Sequence, residues 1–352
     1  MASSMVLHLL TFSTFTSSFI DLLEDEGIGE NTYFILGGDE RHTIIHRDNI
    51  RLSKRPTGFF ERIKFYLDLV SCSHSSRKIV IHGLFDIRII GLLFLQQGLL
   101  KKCYWVIWGG DLYRFKLAKK NVKNWVYEIL RRPIIRKMGN LLTYIQGDID
   151  LARKWYSATG KHHNCLMYHS NIYKEHPLKE RELDNVVNIQ LGNSADPSNN
   201  HLEILERLLP YKNENIKIYA PLSYGNPDYA KFVMDKGSSL FGDNFIPQIE
   251  LLDFNRYLEF LEKIDIAIFN HDRQQAMGNI ITLIGLGKKV HLKNSITPWN
   301  MFRTMGITVY PASKIELTSI EKSTSLKNIN IIKNKFSRET LVKQWSGILN
   351  HE

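Results

Sequence analysis

Short apolar runs alternate with longer stretches of helical spacing along nearly the whole chain. The runs are Val6–Leu10, Tyr33–Leu36, Lys78–His82, Tyr104–Ile107, Leu141–Tyr144 and Leu166–Tyr168, then Val186–Leu191, Ile216–Ala220, Ile264–Phe269, Lys289–Leu292 and Ile307–Val309. Between them lie helical patterns at Ser18–Glu26, Phe59–Val70, Ile87–Gln97, Leu117–Leu130 and Asp148–Trp155, then Asn199–Leu209, Pro227–Lys236, Phe254–Glu262 and Asn279–Gly287. Runs this short and this apolar are buried on both faces, and joining them through helices forces parallel sheets with right-handed crossovers. The polar stretch Asn171–Asn185 carries Pro177 and no apolar face, so it reads as a linker between two such series. The expectation is an α/β chain of two doubly wound, Rossmann-like domains over 1–175 and 176–336. The amphipathic stretch in 337–352 is expected to cross back onto the first. In such a pair a ligand is expected in the cleft between domains, outside the carboxyl ends of the strands.

Composition agrees. A chain of 352 residues, 43% hydrophobic and 23% charged, can bury two cores and is not disordered. Cys72, Cys103 and Cys165 are too few and too scattered for a disulfide scaffold or a Cys-rich zinc site, which fits a reducing compartment. The most apolar stretch, Ile87–Leu100, contains Arg88, Gln96 and Gln97 and is too short to span a bilayer. The opening MASSMVLHLL has no cationic start and reads as a first strand rather than a signal peptide. A cytoplasmic protein is expected.

The net charge is +10, and eleven bases lie between Lys101 and Lys137 against only Asp111 and Glu128. Trp125, Val126, Ile129, Leu130, Ile134 and Ile135 are interleaved with them. Apolar residues flanked by cations suit an anionic membrane surface, and they equally suit a helix that buries one face. No zinc-finger spacing or RNA-recognition strand occurs, so nucleic acid is not an expected partner.

Several loops carry chemistry. Gly192-Asn193-Ser194, followed by Asp196, Ser198 and Asn199, stands between a strand and a helix; it suits a phosphate cradle or an ordinary cap and turn. Arg273-Gln274-Gln275, followed by Gly278, stands in the equivalent place. It offers a guanidinium fork, amides and a close backbone approach, or a plain polar loop. In Trp108-Gly109-Gly110-Asp111-Leu112-Tyr113 the aromatic pair Trp108 and Tyr113 can line an acceptor site. Asp111 is either a general base or a turn former. His82 and His8 end strands, and Tyr224 can floor a base or sugar. Asp148-Ile149-Asp150 has metal-binding spacing, but two acids in a first helical turn are favoured by the helix dipole alone. No H-E-x-x-H, P-loop or G-x-S-x-G motif occurs.

Together these strings resemble the TDP-Fuc4NAc:lipid II Fuc4NAc transferases, the 4-alpha-L-fucosyltransferases of glycosyltransferase family 56. The matching pieces are His82-Gly83 with Phe85, Ile107-Trp108-Gly109 with Asp111-Leu112-Tyr113, Gly147-Asp148, Gly192-Asn193-Ser194 with Asp196 and Ser198-Asn199, Pro221 with Tyr224, Arg273-Gln274-Gln275 with Gly278, and Trp299. The resemblance implies a GT-B fold, with the two Rossmann-like domains facing a central cleft. It implies a nucleotide-activated deoxysugar donor in the second domain and a polyprenyl-diphosphate-linked saccharide acceptor at the inner membrane. On that reading the donor diphosphate rests on Gly192, Asn193 and Ser194, with Tyr224, Arg273, Gln274, Gln275 and Gly278 around it. Fixed positive donors replace a metal, and no cofactor is expected. Asp111 is the expected acceptor base with His82 behind it, and Trp108 and Tyr113 shape the acceptor side. Two other readings stay open: a nucleotide-sugar epimerase or hydrolase of the same fold, and a non-catalytic basic module for membrane or nucleic acid.

Overall fold

The computed structural model describes residues 5–38, 48–52, 58–175 and 186–350, so the linker expected at 171–185 falls outside the described residues from 176 on. The chain divides into two compact units. One comprises the residues up to Asn171 together with those from Arg338 onward, the other Ile172–Ser337.

The first unit runs β1 (Met5–Phe12), α1 (Thr14–Asp25), β2 (Glu30–Gly38), β3 (Ile50–Leu52), α2 (Phe59–Ser75), β4 (Lys78–His82), α3 (Ile87–Leu95), β5 (Cys103–Val106), α4 (Gly110–Leu117), α5 (Val122–Lys137), β6 (Asn140–Leu142), α6 (Gln146–Tyr156) and β7 (Lys161–His163). Its sheet is parallel, in the order β3-β2-β1-β4-β5-β6-β7. The second unit runs β8 (Val187–Leu191), α7 (His201–Leu208), β9 (Ile216–Pro221), α8 (Pro227–Phe241), β10 (Phe245–Gln248), α9 (Phe254–Lys263), β11 (Ile266–Phe269), α10 (Met277–Gly285), β12 (Lys289–Leu292), α11 (Thr297–Thr304), β13 (Tyr310–Pro311) and α12 (Lys322–Lys335). Its sheet is parallel too, in the order β10-β9-β8-β11-β12-β13. Strand order reverses between β1 and β4 in one sheet and between β8 and β11 in the other. At such a switch point the loops leaving adjacent strands part to opposite faces, opening a crevice at the carboxyl edge.

The last helix, α13 (Arg338–Asn350), packs on the first unit. Trp345 is fully buried, donates to the Met167 carbonyl at 2.9 Å and lies 5.0 Å from the Phe19 ring. Arg77 and Lys78 donate to the Leu349 and Ile348 carbonyls at 2.5 and 2.7 Å. Cations there satisfy carbonyls that the last helical turn leaves without partners.

Some expected elements differ. Leu166–Tyr168 is a buried loop and not a strand: the Met167 carbonyl accepts from the Trp345 indole and the Leu166 N–H donates to Gln344 Oε1, while Lys161–His163 takes the sheet edge as β7. Ile307–Val309 is no strand either. Asn328 both accepts from the Thr308 N–H and donates to its carbonyl, at 2.9 Å each, so that backbone is satisfied off the ladder. The helix expected over Leu117–Leu130 breaks at 118–121, where the Asn121 side chain caps α5 by accepting from the Asn124 N–H at 2.9 Å. The short edge strands β3 and β10 were not anticipated; Pro247 in β10 is tolerated because an edge strand needs bonds on one side only.

Candidate active site

The switch-point corner of the first unit is built on His8 of β1 and His82 of β4. Their rings meet at 3.1 Å, Nδ1 of His8 to Nε2 of His82. Asn31 Nδ2 donates to the Ile28 carbonyl at 2.7 Å, so its Oδ1 faces His8 Nε2 at 3.0 Å as an acceptor. That assigns the tautomers by chemistry. His8 donates from Nε2 and accepts at Nδ1, and His82 donates from Nε2. Tyr168 then donates to His82 Nδ1 at 2.6 Å and accepts from Trp108 Nε1 at 2.8 Å. A one-directional chain of hydrogen bonds thus runs from the partly exposed Trp108 to the interior, with both imidazoles neutral.

Burial drives the His8 imidazole down to about 4, against a smaller opposing push from the Asn31 hydrogen bond, and holds His82 well below its ordinary value with His8 adding to the effect. A buried imidazole that must stay neutral binds fewer protons than the unfolded one. Its contribution is therefore fully present above the unfolded pKa of about 6.5 and is lost as pH falls toward about 4. The denaturant midpoint of the first unit is expected to drop steadily across that window. A flat midpoint there would contradict neutral, relay-bound histidines.

Asp111 is fully buried. Oδ2 accepts from Leu84 N at 2.9 Å and Trp105 Nε1 at 2.6 Å; Oδ1 accepts from Trp108 N at 3.0 Å and Leu112 N at 2.9 Å. Arg131, also buried, donates to the Asp111 carbonyl at 2.7 Å. Burial raises the Asp111 carboxyl, while the Leu84 and Leu112 N–H groups, the Trp105 indole and the Arg131 charge pull it back. With four N–H donors on two oxygens, no lone pair points outward to receive a proton from an acceptor hydroxyl. The expected base therefore does not fit the geometry: Asp111 ties the β4–α3 loop to the β5–α4 turn. His82 is corrected likewise, since both ring nitrogens are used internally. Tyr113 is buried in the core with its ring edge-on to Trp155, so it lines no open groove. Trp108 remains partly exposed, its ring edge-on to the exposed Phe85. Asp148 is buried and Asp150 exposed, bonded to Gln146, so the two acids do not share a face. Among the described residues no three His, Cys, Asp or Glu side chains converge as a metal site.

The switch-point corner of the second unit brings the two polar loops together. Gly192 leaves β8 with φ +67°, and a Cβ there would fall 2.7 Å from both Asn199 Oδ1 and His201 Nε2, so only glycine fits. Asn199 Oδ1 accepts from Asn193 N at 3.0 Å and His271 Nε2 at 2.9 Å. Gln275 Nε2 donates to Asn193 Oδ1 at 3.1 Å, and its Oε1 accepts from the Ser198 hydroxyl at 2.9 Å. Asn193 Nδ2 donates to the Tyr224 hydroxyl at 2.7 Å, leaving that ring half exposed. Gly225, with φ +120°, abuts the Ala195 backbone so closely that no Cβ fits, which locks the Tyr224 loop to the first loop.

Arg273 pairs with Asp196 at 3.1 Å, both side chains partly exposed. Burial raises the Asp196 carboxyl, but the Ser198 donors and Arg273 outweigh it and leave it below its ordinary value. Gln274 is buried, with Oε1 lacking any hydrogen-bond partner among the described residues. Beyond it α10 starts after Ala276, at φ +56°, with no side-chain cap, so the first-turn amides that include Gly278 point at this corner. A shallow depression of about 520 Å³ lies alongside, lined by Asp196, Pro197, Gly225, Asn226, Pro227 and Asp228. Its two carboxylates make it the wrong place for a diphosphate. Arg273 and the uncapped start of α10 bring positive charge to the amide corner beside it.

Gly192, Asn193, Ser194, Tyr224, Arg273 and Gln275 are brought together by these contacts, and Gln274 and Gly278 follow Arg273 along the same segment. Asn199, which stands in the first loop string, and His271, just before Arg273, form the hub of the corner; their pairing spans 72 residues, so no local pattern shows it. Tyr168 and Asn31 of the first unit escaped for the same reason.

Two parallel Rossmann-like units, each with loops gathered at its switch point, make a GT-B-type fold. Solved structures agree. The chain is similar to sucrose-phosphate synthase from Thermosynechococcus elongatus (TM-score 0.68, 9% identity, 99% of this chain and 98% of that one). It is similar to the E. coli trehalose-6-phosphate protein bound with UDP-2-fluoro glucose (0.64, 11%, 99% and 99%). It is also similar to WaaG, a glycosyltransferase involved in lipopolysaccharide biosynthesis (0.56, 12%, 99% and 95%). Identities this low establish the fold alone. The family model of the 4-alpha-L-fucosyltransferases, glycosyl transferase group 56, matches residues 66–352, and the chain belongs to that family.

Proposed function

We propose that this glycosyltransferase moves a deoxy-amino sugar of the Fuc4NAc class from a TDP- or UDP-activated donor to a polyprenyl-diphosphate-linked saccharide. The step belongs to surface-polysaccharide assembly on the cytoplasmic face of the inner membrane. The observation that carries the donor half is the amide corner of the second unit. Gly192 and Asn193 spend their backbone N–H groups on the Ile268 carbonyl and Asn199 Oδ1 and so shape the corner, the Ser194 hydroxyl stands in it, and Arg273 and the open amides of α10 add positive charge. Gln274 keeps a buried acceptor without a partner. The cationic and N–H groups suit the diphosphate of a sugar nucleotide, and the Gln274 oxygen, an acceptor like the phosphate oxygens, suits a hydroxyl of its sugar or ribose. As the glycosidic bond breaks, negative charge grows on the leaving nucleoside diphosphate, and fixed donors stabilise it without reorganising. Tyr224 supplies an exposed ring for base or sugar. In the first unit Trp108 is the acceptor-side residue. Asp111, His82 and Tyr168 are positioning residues that fix its backbone and indole.

The test is a product assay with a panel of TDP- and UDP-deoxysugars and a polyprenyl-diphosphate-linked saccharide, run with and without EDTA. Sugar transfer to the lipid-linked acceptor, indifferent to EDTA, is expected. Donor hydrolysed or epimerised without acceptor, at the same rate, would replace this reading with that of a nucleotide-sugar epimerase or hydrolase.

A further inference from the structure

Helix α2 buries one stripe, Phe65, Leu69 and Cys72, against the sheet. Its opposite side should be polar in a helix that meets only water. Instead Phe59, Phe60, Ile63 and Leu67 are exposed there, the first two by 73% and 82%. Helix α5 repeats the pattern. Ile134 and Ile135 face the core, while Val122, Trp125, Val126 and Ile129 are exposed, Val122 by 77% and Trp125 by 66%.

The two faces belong to one edge of the first unit. Both helices run antiparallel to the strands, so both begin at the carboxyl edge. Phe65 meets Phe34 of β2 and lies under the Arg88 guanidinium at the start of α3, 5.1 Å away. Tyr127 donates to the Phe85 carbonyl, just before α3, at 2.6 Å. Counting back along each helix, Phe59 stands about 9 Å beyond Phe65 and Val122 about 7 Å beyond Tyr127. Both first turns therefore lie toward the carboxyl edge, with these side chains exposed. Phe85, exposed between them, continues the apolar surface to Trp108.

The charge around the α5 tip is positive, while on α2 Arg62 and Lys64 stand beside Glu61 and Asp68. Arg62, Lys64, Lys119, Lys120 and Lys123 are all exposed. Asp86 pairs with Arg88 and Glu128 with Arg131, whereas Glu61, which accepts from the neutral Gly58 N–H, and exposed Asp68 keep their charge on α2. Exposed aromatic and aliphatic side chains flanked by cations match an anionic bilayer surface, where rings enter the headgroup layer and ammonium groups meet lipid phosphate. A nucleic acid would use the cations but not the aliphatic tips.

We propose that the outer turns of α2 and α5 form one docking face for an anionic lipid bilayer. The proposal deepens the reading of a lipid-linked acceptor by naming the surface that brings the enzyme to it, and it rests on that reading for its purpose. The test uses the full-length protein and vesicles of phosphatidylcholine alone or equimolar with phosphatidylglycerol, in a flotation assay. The protein is expected to float with the anionic vesicles and not the neutral ones, and to be released by salt. Phe59→Ser/Phe60→Ser and Lys119→Glu/Lys120→Glu/Lys123→Glu are each expected to lower partitioning about tenfold or more. Melting temperature and nucleotide affinity should stay at the wild-type level. The tryptophan emission should shift to the blue on anionic vesicles in the wild type and lose that shift in Trp125→Phe. Equal flotation on neutral vesicles, unchanged flotation of both variants, or a dimer in solution dissolved by the same substitutions would each overturn the proposal. Anionic-vesicle binding by a protein that transfers no sugar to a lipid-linked acceptor would defeat the proposed function and leave the docking face standing. Transfer to that acceptor without any effect of the variants would do the reverse.

Discussion

Asp111→Ala is expected to cost the first unit about 3–5 kcal/mol, lowering its melting temperature by about 10 °C. The substitution leaves the N–H groups of Leu84, Trp108 and Leu112 and the indole of Trp105 without an acceptor in a site that water does not reach. Asp111→Asn should be nearly as harmful, because its amide turns a donor toward at least one of those N–H groups. The comparison separates two roles. A residue that only takes a proton from the acceptor could become Asn with an unchanged melting curve and lose turnover alone. If Asp111→Asn melts like the wild type, the positioning role assigned to Asp111 is wrong.

Arg273→Ala is expected to weaken TDP and UDP binding about 10- to 100-fold, the loss of about 1.5–3 kcal/mol for a hydrogen bond to a charged partner. Its effect on melting should be small. The ion pair with Asp196 is partly exposed on both sides, and such pairs contribute about 0–1 kcal/mol. Asp196→Asn should act in the opposite direction, tightening nucleotide binding, because it removes the negative charge that holds the guanidinium. Calorimetry with both nucleotides reads both variants. Wild-type affinity in Arg273→Ala would move the diphosphate away from this corner.

The two corners differed in how far the linear sequence exposed them. In the second unit the site is two contiguous loops, Gly192–Asn199 and Asn270–Gly278, each leaving a strand and entering a helix. Small amide- and hydroxyl-bearing residues at those junctions are visible locally, because the backbone geometry of the junction is itself local. In the first unit the same kind of reading picked Asp111 and His82 as outward-facing groups, and both turn inward. What decides their role is the count of partners. Leu84 and Trp105 fill one oxygen of Asp111 from other elements, and His8 and Tyr168 fill both nitrogens of His82 from 74 and 86 residues away. No local pattern carries that information. The basic stretch shows the same split. Its cations and apolar residues were plain to read, but Arg131, Ile134 and Ile135 face the core while Trp125 and Lys123 face out. The matching tip on α2 carried no such charge excess and passed as an ordinary helix.

From its residues alone the chain determined the alternation of strands and helices, the parallel sheets and the polar loops at strand-to-helix junctions, since period, burial and junction chemistry are properties of neighbouring residues. Tertiary structure alone decided which polar side chains are already satisfied and which still face outward, since a hydrogen-bonding group buried by folding is spoken for by partners that only the folded chain brings within reach.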